Sequence, residues 1–90
     1  MCRNIKHLFN FDPPATDEEI QAAALQFVRK LSGFTKPSLA NEMAFNKAVN
    51  KITLDSKALL QTLVTEAKPH NREEEAAKAH ERAVKRFGLQ

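Results

Sequence analysis

The stretch Ser32-Gly33-Phe34-Thr35-Lys36-Pro37-Ser38 leaves this chain little choice of fold. Gly33 is free to take the positive φ that closes a helix, and Ser38, just after Pro37, is placed to cap the next one. Amphipathic sequence lies on both sides, so the corner predicts two helices folded back on each other. Gly33 and Gly88 are the only glycines, and both fall where helices stop. No glycine is left to build a phosphate-cradling loop.

Upstream, Thr16-Asp17-Glu18-Glu19 is a helix start. Thr16 can accept from the first turn, Glu19 stands at the capping-box position, and the acidic run opposes the positive end of the helix dipole. Ile20, Ala24, Phe27, Leu31 and Phe34 then recur at helical spacing, which predicts a helix over 17–32 with that stripe turned inward. Downstream, Phe45, Val49, Ile52, Leu59, Leu60, Leu63 and Val64 predict a second helix over 39–66, bent near Thr53–Ser56. Ser56 interrupts its stripe, tolerably, since its hydroxyl can bond a carbonyl one turn back. Residues 67–71 read as a linker. Asn71 with Glu74 repeats the capping pattern and opens a charged third helix over 72–87, supported by Glu74–Lys78 and Glu81–Lys85 pairs and ended by Gly88. Its apolar row (Ala76, Ala77, Ala83, Val84, Phe87) is thin, so it should dock weakly.

The N-terminal residues 1–16 are ambiguous. Ile5, Leu8 and Phe9 fit a short helical turn, whereas Ile5, Phe9 and Phe11 fit strand alternation. We favour a helical turn lying on the core, followed by an extended Asp12-Pro13-Pro14 connection. The expected fold is therefore all-α: one small helical bundle over 1–90, with an N-terminal segment, three helices, and the first two as an antiparallel pair.

Ninety residues can bury one small core at most. The chain has six Phe but neither Trp nor Tyr, so a binding surface lacks the commonest aromatic anchors. A net charge of +3 is compatible with a nucleic-acid contact without demanding one. The single cysteine, Cys2, excludes an internal disulfide and fits a reducing compartment. Neither a secretory signal nor a membrane-spanning run is present, so a soluble cytoplasmic protein is expected.

Three places invite chemistry. Arg29, Lys30 and Lys36 gather at the corner beside the start of the second helix, where Ser38 and unpaired N–H groups can hold an anion; Lys47 and Lys51 extend that positive surface. The simpler account is that Ser38 caps the helix and the cations offset the C-terminal dipole of the first. A helix-turn-helix reader of DNA would have to use Asn46, Lys47, Asn50 and Lys51, with no arginine to grip guanine. Cys2, bared if Met1 is removed, could act as an N-terminal nucleophile with His7 as base, although a small buried apolar role is commoner. Cys2, His7, His70 and His80 are the only soft ligands, and their spacing matches no metal motif; His80 reads as a histidine at the edge of the core. No cofactor is implied, and no catalytic constellation is recognisable. Leu25, Met43 and Leu54 fall on the outer sides of the first two helices and read as an interaction surface or as positions covered by other segments. The leading expectation is a non-enzymatic interaction module, binding a protein partner or itself. Nucleic-acid or phosphate binding through the joint follows, and Cys2 chemistry is a distant third.

Met-Cys-Arg-Asn-Ile-Lys at the start, Phe-Asp-Pro-Pro-Ala-Thr-Asp-Glu-Glu-Ile before the first helix, and Ala-Ala-Ala-Leu-Gln-Phe-Val-Arg-Lys-Leu-Ser-Gly-Phe-Thr-Lys-Pro-Ser-Leu-Ala-Asn across the joint closely resemble a bacterial family of short proteins, domain of unknown function 2277. The resemblance covers nearly the whole chain. It implies a stand-alone cytosolic bacterial protein and draws attention to Cys2-Arg3-Asn4, Arg29-Lys30 and Ser32-Gly33. It carries no activity and no residue roles.

Overall fold

Thr16 accepts a hydrogen bond from the Glu19 N–H at 3.2 Å, and Glu19 Oε1 accepts one from the Thr16 N–H at 3.0 Å. This reciprocal cap opens helix α1, Asp17–Ser32, in the computed structural model, which describes residues 5–87. Gly33, at φ 78°, ends it by donating its N–H to the Arg29 carbonyl at 2.9 Å. Both limits are those the sequence predicts. After the corner comes a 3-10 turn, Leu39–Asn41, then helix α2, Glu42–Thr62, a two-residue strand, and helix α3, Arg72–Phe87.

The second helix differs from its expected 39–66 at both ends. Ser38 precedes the 3-10 turn without capping it; its hydroxyl accepts instead from the Asn41 side chain at 2.9 Å. At the other end Leu63 is extended (φ −66°, ψ 141°). The Thr62 hydroxyl donates to the Ala58 and Leu59 carbonyls, both at 3.0 Å, in the last turn of the helix. Val64 therefore lies outside the helix and is exposed.

The fold is mostly helical but not all-α. Phe11–Asp12 (β1) pairs in parallel with His70–Asn71 (β2), Phe11 opposite His70 and Asp12 opposite Asn71. This corrects two expectations: residues 5–11 form no helical turn, and 67–71 is not merely a linker. Asn10 adopts a positive φ of 64°, which Asn tolerates, and its carbonyl accepts from the His70 N–H at 2.7 Å. Asp12 precedes Pro13, which steers it away from helix.

Among the described residues the buried hydrophobic ones are Ile20, Ala24, Val28, Phe45 and Val49; the last four form one cluster, with Leu25, Ala48 and Ile52 packed against it. The inward row of α1 is thus Ile20–Ala24–Val28, spaced by four, and not the row through Phe27 and Leu31. Phe27, one position before Val28, lies beside that row and is exposed. Leu25, read as pointing outward, packs against the core. Lys57 joins α2 to the start of α1 through Asp17 at 3.0 Å. The body measures 46 × 36 × 19 Å, a slab about two helix widths thick.

Candidate functional site

Arg72 is the first residue of α3, and a cation there opposes the helix dipole. Its side chain reaches out of the helix to α1. Nη1 and Nη2 donate to Glu19 Oε2 and Oε1, each at 3.0 Å, and Nε donates to the Pro13 carbonyl at 3.1 Å. The guanidinium carbon sits 5.5 Å from the centre of the Phe11 ring. Lys6 approaches the same carboxylate at 3.6 Å. Glu19 is lowered to about 2, chiefly by the hydrogen bond from Arg72 and next by the one from the Thr16 backbone. Beside this clamp, the His7, Phe11 and His70 rings meet with centroids 5.1–5.5 Å apart. Glu75 Oε1 lies 3.1 Å from His70 Nδ1. Lys78 also turns to Glu75, at 3.8 Å, where the sequence predicts Glu74 as its partner. A groove of about 340 Å³ opens alongside, lined by Lys6, His7, Phe11, Arg72, Glu75 and Arg82 among others. Its charges are largely paired with one another, so the clamp locks the N-terminal segment and α3 onto α1.

The corner is less available than its composition suggests. Arg29 is half-buried and donates through Nε to the Thr35 carbonyl at 3.0 Å, stitching the turn shut. Lys30, Lys36, Lys47 and Lys51 are exposed. Lys47 and Lys51 share the outer side of α2 with Met43 and Leu54, both also exposed. His7 and His70 come together, whereas His80 is exposed on α3 and not at the edge of the core. Among the described residues no three His, Cys, Asp or Glu side chains converge to hold a metal. Cys2, Arg3 and Asn4 lie outside the described residues, as does any pairing of Cys2 with His7.

A third feature is apolar. Phe27 (44% exposed) and Leu31 (75%) lie one turn apart on α1, next to the buried row. On α2, Leu59 (54%) and Leu63 at its end continue the side that begins with Ala48 and Ile52. Helical spacing puts these rows on one broad face of the α1–α2 layer, away from Met43 and Leu54.

The family model of the uncharacterized conserved protein DUF2277 matches residues 1–78. The chain belongs to that family. No curated protein and no solved structure matches it. No helix among the described residues is long and apolar enough to cross a membrane. The matched span takes in the residues of the clamp, from Lys6 to Lys78, and ends within α3. Sequence reasoning singled out neither Arg72 nor Phe11. One signal was available: a lone arginine followed by Glu73, Glu74 and Glu75 stands where a helix prefers anions, which marks a side chain needed elsewhere.

Proposed function

We propose that this DUF2277 protein is a non-enzymatic interaction module whose contact face is the apolar side of the α1–α2 layer, centred on Phe27, Leu31, Leu59 and Leu63. The reading takes α1 and α2 as an antiparallel pair, supported by the Asp17–Lys57 bridge at one end and the Val28–Phe45 packing at the other. The observation that carries it is the ratio of open to closed apolar surface. Among the described residues five apolar side chains are buried, while nine large apolar ones are exposed. Phe27, Leu31, Leu59 and Leu63 are among the exposed ones, and exposed apolar residues grouped on one face mark an interaction site where isolated ones do not. Side-chain footprinting in cells that express the protein tests this. Phe27, Leu31 and Leu59 should be protected there relative to the purified chain at nanomolar dilution. Equal labelling in the two settings defeats the reading.

The other contact, with nucleic acid or a phosphate ligand, draws support from the exposure of Lys30, Lys36, Lys47 and Lys51. Arg29 counts against it, because that guanidinium already serves the turn. A gel shift that weakens steeply with salt and disappears in Lys47→Ala plus Lys51→Ala would favour it.

A further inference from the structure

We infer that the groove between residues 8–15, the start of α1 and the end of α2 binds a small molecule with an apolar body and a carboxylate head. The inference stands apart from the α1–α2 contact face and does not rest on it. The groove holds about 450 Å³, within the range of small-molecule sites. Its walls come from separate stretches of chain: Leu8, Phe9 and Phe11, then Pro14, and then Leu60. Ile20, which is buried, forms the floor. Leu8, Phe9, Phe11 and Leu60 are half-buried. The protein leaves these side chains partly in water, so an apolar body filling the groove completes their burial.

The walls are fixed before any ligand arrives. The Asn10 carbonyl accepts from the His70 N–H at 2.7 Å, and the Asn10 side-chain amide donates to the Ala67 and Lys68 carbonyls at 3.4 and 3.3 Å. Arg72 donates to the Pro13 carbonyl at 3.1 Å. The clamp on Glu19 therefore also sets the position of the segment that walls the groove. A site held in place this way loses little freedom when it binds.

Charge selects the head group. Asp17 and Lys57 are the only ionisable side chains that line the groove. The Lys57 ammonium lies 3.0 Å from Asp17 Oδ1 and 3.2 Å from Oδ2. An ammonium carries one more N–H than those contacts use, which leaves a donor for a further acceptor. Gln61, one turn along α2 and also lining the groove, adds an amide donor. Asp17 is the more exposed partner, 69% against 41% for Lys57, so its carboxylate can turn into water at little cost when another anion arrives. A cationic head would meet the Lys57 ammonium instead.

Nuclear magnetic resonance of the nitrogen-labelled full chain tests the proposal, with decanoate as the probe. Saturable amide shifts are expected at Leu8, Phe9, Phe11, Ala15, Leu60 and Gln61, while Phe27, Leu31 and Met43 stay still. Decanol and decylamine should bind about tenfold more weakly than decanoate, the value of one retained ionic contact. Lys57→Gln should weaken decanoate by about the same factor and erase its advantage over decanol. Its helical dichroism should not change, because the pair it breaks is exposed. Ala15→Phe, placed outside the helices, should plug the groove and abolish the shifts; if that variant does not fold, Lys57→Gln carries the test. The absence of saturable shifts while decanoate is monomeric overturns the proposal, as does decanol matching decanoate on the wild-type chain, or a Lys57→Gln variant that binds decanoate unchanged. Shifts centred on Phe27, Leu31 and Leu59 overturn it too, and point to the contact face proposed above.

Discussion

Replacing Glu19 by glutamine isolates the charge in the clamp, because glutamine retains the capping-box acceptor and the approximate shape. The folded protein holds this carboxyl at about 2, against 4.5 as the ordinary value, with the Arg72 hydrogen bond as the main cause. The unfolded chain therefore binds a proton at Glu19 more readily than the folded chain does. The contribution is complete above about pH 5 and is lost as pH falls from 4.5 toward 2. The shift alone sets a ceiling of about 3 kcal/mol. The Glu19 side chain is 20% exposed and Arg72 more so, and screening of such pairs brings the expectation to about 1–2 kcal/mol. For a chain of this size that is a fall in melting temperature of about 5–10 °C. Thermal melts followed by far-ultraviolet dichroism should show Glu19→Gln below the wild type by that margin at neutral pH, with the two curves converging near pH 2. A difference that stays constant between pH 2 and 6 would show that the ionised pair contributes nothing and refute the argument.

Arg72→Ala removes three hydrogen bonds and the contact with Phe11 in one step, so amide exchange throughout α3 should accelerate well before α1 and α2 melt; exchange that speeds up evenly across all three helices contradicts this. Gly33→Ala should cost about 1–2 kcal/mol in chemical denaturation, all of it from the backbone at φ 78°, since an added Cβ meets open space. Thr16→Ala should cost about 1 kcal/mol through loss of the α1 cap. Phe45→Ala, one of five buried apolar side chains among the described residues, should cost about 3 kcal/mol or more and leave little cooperative unfolding, while Met43→Ala, two residues away, should be nearly silent.

The limits of α1 were legible because both signals are local: Thr16 with Glu19 at one end and Gly33 at the other. The start of α3 was legible for the same reason, and the Asn71 side chain does accept from the Glu74 N–H at 3.0 Å. The pairing of β1 with β2 was not, since two residues on each side, nearly sixty positions apart, leave no periodicity to read. Phe27 is expected inward because it falls at helical spacing with Ile20 and Ala24; in the structure the buried row runs Ile20, Ala24, Val28, one position over, and Phe27 is exposed beside it. Met43 and Leu54 do lie outward as expected, but the larger open apolar face is the one through Leu31 and Leu59. Arg29 and Lys30 were read together as corner cations. Only the position of the Thr35 carbonyl separates them, and that depends on the three-dimensional turn.

The thinness of the molecule also bears on how this protein can change over time. None of the described side chains is wholly enclosed, so every interior position is also a near neighbour of the outer contour. Trimming or enlarging Val28 or Phe45 must reshape the outside along with the inside. Sequence drift in such a molecule cannot adjust robustness and outline independently; each accepted change at one is a test of the other.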